Sequence, residues 1–134
     1  MDDQQGVMKI AKPKVVRIAA NLYWVSLCLG FINTLHISQS MDMKHPIIVA
    51  ILTIGSYGLV WFLIRKAVNG SNAFRIINLI LIVIGINDYL SFIRKTFSTS
   101  VIFGYVSIII LALQVVAIGL LFTPPANAWF KSKK

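Results

Sequence analysis

The stretch Ile77-Asn-Leu-Ile-Leu-Ile-Val-Ile-Gly-Ile86 decides the fold class of this chain. Apart from Asn78 and Gly85, every residue in it is aliphatic, so a helix built from it has no polar face to present to water. A helix that is apolar all round belongs in a large protein core or in a lipid bilayer. A chain of 134 residues is too short to supply such a core. The stretch therefore predicts a membrane-spanning helix.

The composition of the whole chain favours the same environment. Hydrophobic residues make up 57% of it and charged residues only 13%, and the mean hydropathy is +0.80, whereas soluble domains average about 25% charged residues. The net charge of +9 comes from 13 Lys and Arg against 4 acidic residues. Because the basic residues flank the apolar runs, we expect them to meet anionic lipid headgroups rather than nucleic acid. The single cysteine excludes an internal disulfide.

Four segments are long enough to cross a bilayer, which takes about 20 mostly apolar residues. Helices are predicted at about 15–37, 46–67, 72–95 and 100–122, within one transmembrane domain covering 1–134. Residues 1–14 are predicted to form a basic cytoplasmic arm, and 123–134 a basic interfacial tail. Since the connections are short, consecutive helices should be antiparallel neighbours. The predicted fold class is all-α, an integral membrane four-helix up-down bundle.

The distribution of Lys and Arg predicts the orientation of this bundle, because cytoplasmic loops are enriched in both. With both termini inside the cell, ten basic residues lie inside and three outside. The opposite orientation reverses these numbers. We therefore predict a multi-pass protein of the cell membrane with both termini in the cytoplasm. The pair Arg94-Lys95, placed outside, is the local exception.

Each predicted helix carries one stripe of small and polar residues, which are the residues that pack helices together in lipid. Within these stripes a possible intramembrane polar cluster comprises Asn33, Asp88, Tyr105 and Gln114. On a helical wheel Asp88 falls on the bundle side with Asn78 and Gly85, whereas Asn87 points away. Carboxylates in membranes usually face a partner or a cavity. Asp88 could therefore anchor the bundle near its outer face or handle protons or cations.

The search for chemical motifs gives weak candidates only. His36, Asp42 and His45 are weak candidates for a zinc or copper site, since their spacing matches no strong motif. No nucleophile motif or phosphate loop occurs in the sequence, and the only adjacent carboxylates are Asp2 and Asp3 near its start. We therefore expect neither an enzyme nor a bound cofactor.

Basic and aromatic residues near the predicted inner membrane surface are candidate anchors. Such rings and cations settle at the headgroups of a bilayer. The predicted lipid-facing anchors are Arg65, Lys66, Arg75, Trp129, Phe130 and Lys131.

Two short segments resemble known proteins: the hairpin Ile64–Arg75 and the ending Leu121–Phe130. They are similar to small uncharacterised bacterial four-helix inner-membrane proteins, in which a Gly-x-Asn-x-x-Arg hairpin precedes helix three and a Trp-Phe pair lies near the C-terminus. Gly70, Asn72, Arg75, Trp129 and Phe130 carry the match. The resemblance implies a bacterial inner membrane and no particular activity.

The sequence leaves more than one function open. The first hypothesis is a non-enzymatic accessory, partner-binding or immunity-type component, which acts through a homo-oligomer or another membrane protein. The alternative is a small transporter or channel that uses Asp88 near the outer face. The small multidrug transporters share the length and helix number, but they rely on a glutamate in helix one, and this chain has no Glu.

Overall fold

The computed structural model describes residues 11–40 and 46–133, and all regular structure within them is helical. The helices are α1 (Lys14–Ser40), α2 (Pro46–Val68), α3 (Asn72–Thr99), α4 (Val101–Leu121) and α5 (Pro124–Lys131). The first four are long and apolar enough to cross a membrane, as expected for a multi-pass membrane protein. The predicted all-helical bundle fold is therefore confirmed.

Neighbouring helices in the bundle run antiparallel. The largest interface joins α1 to α4, followed by α3 with α4, α2 with α3 and α1 with α2. Along the α1–α4 seam, Asn33 pairs with Ser107 and His36 stacks on Phe103, so α1 ascends as α4 descends. This is the up-down arrangement that short connections favour.

The connections explain where the helices begin and end. Gly70 adopts a φ of 104°, a left-handed conformation that closes the hairpin between α2 and α3 and that only glycine adopts without cost. Between α3 and α4 only Ser100 is left outside a helix. Helix α3 therefore extends beyond the predicted end at 95, because Arg94 and Lys95 end the apolar run but are good helix formers.

The buried core is concentrated at one end of the bundle. The main cluster there comprises Val16, Ala19, Ala20, Tyr23, Ile64, Val68, Ala117, Ile118, Leu121, Ala126, Trp129 and Phe130. Helix α5, which begins with two prolines, folds under this end and contributes the last three of these residues. Ile37, Ile93 and Ile110 are buried outside this cluster. Lys12 and Lys133 both lie over the Trp129 ring, with Nζ 5.9 and 5.8 Å from its centroid. The start of α1 and the end of the described chain thus share one end of the bundle.

Candidate functional site

The end of the bundle closed by α5 contains a buried arginine, Arg75, with a set of fixed partners. Its Nη1 donates to the Leu121 carbonyl oxygen at 2.8 Å and to Asn127 Oδ1 at 2.6 Å, and its Nη2 donates to Asn72 Oδ1. The guanidinium carbon also lies 4.4 Å from the ring centroids of both Phe122 and Phe130. We refer to these six residues as the Arg75 cluster.

The Arg75 cluster holds three helices together. Arg75 comes from the first turn of α3. The carbonyl oxygen of Leu121 is one of those that the C-terminus of α4 leaves without an intrahelical donor. Asn127 comes from α5, and its Nδ2 donates to the Phe122 carbonyl oxygen at 2.8 Å. The cluster therefore fixes α5 against both spanning helices, through charge-assisted hydrogen bonds and cation–π contacts.

The residues that carry the sequence resemblance converge on this cluster. Asn72, Arg75 and Phe130 belong to it directly. A Cβ at Gly70 would lie 3.3 Å from the Trp129 ring, so the hairpin glycine and the tryptophan are also in contact. Two segments far apart in the chain thus form one structural unit.

The expectation that Arg75, Trp129 and Phe130 anchor the protein in lipid is wrong. These side chains are only 7%, 3% and 2% exposed, because α5 turns its aromatic face toward the bundle rather than toward the headgroups. Lys66 and Lys131 are exposed. Arg65 is also exposed, and its guanidinium carbon lies 5.1 Å from the Trp61 ring centroid.

Two adjoining recesses lie between the helices in the middle of the bundle. One, of about 210 Å³, is lined in part by Tyr23, Asn78 and Val60. The other, of about 220 Å³, is lined in part by Asn33 and Tyr57. Both also contain Tyr89 and Gln114, so the two recesses share a wall.

The polar groups of these recesses are uncharged and partly unpaired. Asn33 Nδ2 donates to Ser107 Oγ at 2.7 Å, and Tyr57 Oη and Thr34 Oγ1 share a hydrogen bond of 2.9 Å. Tyr23 Oη and Asn33 Oδ1 are buried without a partner among the described residues. Hydroxyl and amide groups can bind water or a neutral polar solute.

The structure places only two members of the predicted polar cluster together. Asn33 and Gln114 line the same recess. Tyr105 is 60% exposed and packs edge-on against Phe97. Asp88 is exposed, and no hydrogen bond or ion pair joins it to another described residue.

The prediction that Asp88 lies on the bundle side is therefore wrong. The inward stripe of α3 passes through Arg75, Asn78, Gly85 and Tyr89. At 100° per residue, Tyr89 lies closer to the direction of Asn78 than Asp88 does. Tyr89 takes the inward position and donates to the Ser107 carbonyl oxygen at 3.2 Å. Asn87 is exposed, as the helical wheel predicted.

Of the three weak metal-ligand candidates, only His36 lies within the described residues. His36 stacks on the Phe103 ring with centroids 3.8 Å apart, whereas Asp42 and His45 lie outside the described residues. Within residues 11–40 and 46–133, no three His, Cys, Asp or Glu side chains come close enough to hold a metal ion.

Comparisons with known proteins give no match to a family model, to a curated protein or to a solved structure. Function must therefore be inferred from the chemistry of the three places described above: the Arg75 cluster, the central recesses and the exposed Asn87-Asp88 pair on α3.

Proposed function

We propose that this protein is a non-enzymatic membrane component that binds another membrane protein through the exposed face of α3. The observation that carries the proposal is Asp88, an exposed carboxylate on a membrane-spanning helix. Arg75 and Arg94 are about 28 Å apart along α3, which is close to the roughly 30 Å thickness of the hydrocarbon layer. Asp88 lies about 9 Å inside Arg94, too deep for its short side chain to reach the headgroups.

A carboxylate at this depth needs a partner. An aspartate costs about 2.5–3.5 kcal/mol at the centre of a membrane helix on insertion scales, and part of that cost applies at the depth of Asp88. The basic residues of α3 lie at its two ends, and no described residue forms a hydrogen bond or ion pair with Asp88. Two copies meeting at this face would bring two carboxylates together. A helix of a different protein that presents a basic side chain is therefore the better complement.

The first prediction concerns the location of this contact. A photo-cross-linking amino acid at Ile84, which is 70% exposed and one turn from Asp88, should form an adduct of discrete mass in native membranes. Replacing Asp88 by Leu should weaken that adduct about five-fold, since polar contacts between membrane helices contribute about 1–2 kcal/mol in model peptides. Gel electrophoresis followed by mass spectrometry of the adduct measures both effects.

Ile109 provides a matched control for this experiment. It is 52% exposed and lies on α4 two residues after Ser107. Because Tyr89 of α3 donates to the Ser107 carbonyl oxygen, Ile109 is at a depth similar to that of Asp88. A cross-linker at Ile109 should give little adduct. Equal adducts at Ile84 and Ile109, or an adduct that the Asp88→Leu change leaves intact, would count against the proposal. An adduct with twice the 14.9 kDa mass of the chain would show that the partner is a second copy of this protein rather than a different one.

A second candidate function is the passage of small neutral polar solutes, which the central recesses favour. Their adjoining volumes share Gln114 and contain the unpaired atoms Tyr23 Oη and Asn33 Oδ1. Asp88 lies outside both recesses, so a path through the bundle would use uncharged groups rather than this carboxylate.

For this candidate function, Gln114 and Asp88 are predicted to differ in their effect on solute uptake. In proteoliposomes, glycerol or urea uptake should exceed that of protein-free vesicles. Replacing Gln114 by Leu should reduce the excess about five-fold, the effect of losing one hydrogen-bond partner worth about 1 kcal/mol. Replacing Asp88 by Asn should leave it unchanged. Stopped-flow light scattering measures the rates, and uptake equal to that of empty vesicles would eliminate this candidate.

A further inference from the structure

We propose that a recess beside the Arg75 cluster binds a phosphate group, supplied by an anionic lipid headgroup or by free phosphate. The recess has a volume of about 100 Å³ and is lined by Asn72, Arg75, Asn127, Phe130 and Lys131. Liquid water occupies about 30 Å³ per molecule, so the recess has room for roughly three waters, enough to admit the two non-bridging oxygens of a lipid phosphate.

The lining residues present positive charge and hydrogen-bond donors. Arg75 and Lys131 supply two cationic side chains, and the Asn72 amide nitrogen is a further donor. Asn72 is also the first residue of α3, and the preceding Ser71 makes no side-chain capping bond to that helix. The first backbone N–H groups of a helix have no intrahelical acceptor and carry the positive end of its dipole, an arrangement that attracts anions.

Arg75 gives an independent indication that an anion belongs here. The residue is only 7% exposed. The acceptors that it reaches are neutral carbonyl and amide oxygens. No described carboxylate forms an ion pair with Arg75. A buried charge is normally matched by an opposite charge. A phosphate in the recess beside Arg75 would provide one.

The position of the recess favours a lipid headgroup as the source of that phosphate. Arg75 lies about one hydrocarbon thickness from Arg94 along α3, so the recess is level with one layer of headgroups. Lys12 and Lys133, which flank the Trp129 ring, add positive charge at the same end of the bundle. None of the described residues at this end is acidic.

The test is lipid binding by the full chain, purified in a maltoside detergent that contains no phosphate. Native mass spectrometry measures dissociation constants for phosphatidylglycerol and phosphatidylcholine, and thermal unfolding is followed against inorganic phosphate. We expect saturable, preferential binding of phosphatidylglycerol. Lys131→Gln should weaken this binding about five-fold, as expected for the loss of one basic residue near an anionic surface.

Lys66→Gln is the matched control, because Lys66 is also exposed at the inner end of its helix but lies outside the recess. It should change the dissociation constant by less than about two-fold. Equal weakening by both changes, equal affinity for the two lipids, or absence of binding would overturn the proposal. Stabilisation by inorganic phosphate that Lys131→Gln weakens and Lys66→Gln does not would support it and identify free phosphate as a ligand.

Discussion

Replacing Arg75 by Gln should lower the free energy of unfolding by about 3 kcal/mol. The Leu121 carbonyl and the amide oxygens of Asn72 and Asn127 would lose a charged donor, and an unsatisfied buried polar group costs about 1–3 kcal/mol. The contacts with the rings of Phe122 and Phe130 would also be lost. For a chain of this length the midpoint of thermal unfolding should fall by about 10 °C, measured by circular dichroism in detergent.

Two further variants show whether the geometry of Arg75 matters. Arg65→Gln removes an exposed guanidinium that forms no hydrogen bond with the described residues and contacts the Trp61 ring, so it should change stability by no more than about 1 kcal/mol. Arg75→Lys keeps the charge but replaces the planar fork, whose two terminal nitrogens reach three acceptors, by a single nitrogen. It should recover only part of the loss. Full recovery with Lys, or an equal loss at Arg65, would show that the hydrogen-bonded fork does not hold α5.

The main features of the fold could be predicted from the sequence because lipid demands long apolar helices. Four such segments and short connections between them leave few alternatives to an up-down bundle. The rotation of α1 was also predictable, since Tyr23, Ser26 and Asn33 form one polar stripe on an otherwise apolar helix, and all three are buried.

The rotation of α3 was harder to predict. Its surface is apolar nearly all round, and its polar residues fall in more than one direction, so the sequence does not fix which side faces the bundle. Asn78 is common to both possible stripes, one through Asp88 and one through Tyr89. The tyrosine is inside because its ring fills space between helices and its hydroxyl reaches the Ser107 carbonyl. The carboxylate is left outside.

The Arg75 cluster was missed for a different reason. Arginine, tryptophan and phenylalanine near the end of an apolar helix are typical of headgroup anchors, and that interpretation treats each residue separately. Their burial depends on α5 folding back under the bundle. Pro124 and Pro125 could have indicated it, because proline is favoured in the first turn of a helix as well as after one. This fold-back brings Phe130 onto Arg75, which also donates to Asn72.

Replacing Gly104 by Ala should destabilise the protein by about 1–3 kcal/mol, the usual cost of adding atoms to a packed interior. Gly104 is buried in the first turn of α4. Only Ser100 separates this helix from α3. A Cβ at this position would lie 2.5 Å from both Cγ and Cδ1 of Phe97. Cγ is the first ring atom and moves little when the ring rotates. Phe97 is also held edge-on against Tyr105, so the two helices would have to separate.

Gly119 on the same helix provides the control, because a Cβ there meets nothing within 4 Å. Gly119→Ala should leave stability unchanged or raise it by up to about 1 kcal/mol, since alanine is the better helix former. Thermal unfolding of both variants in the same detergent gives the comparison. If Gly104→Ala were as stable as Gly119→Ala, close contact between α3 and α4 would not depend on the missing side chain. A loss of stability in Gly104→Ala together with a gain in Gly119→Ala would locate the close contact at Phe97.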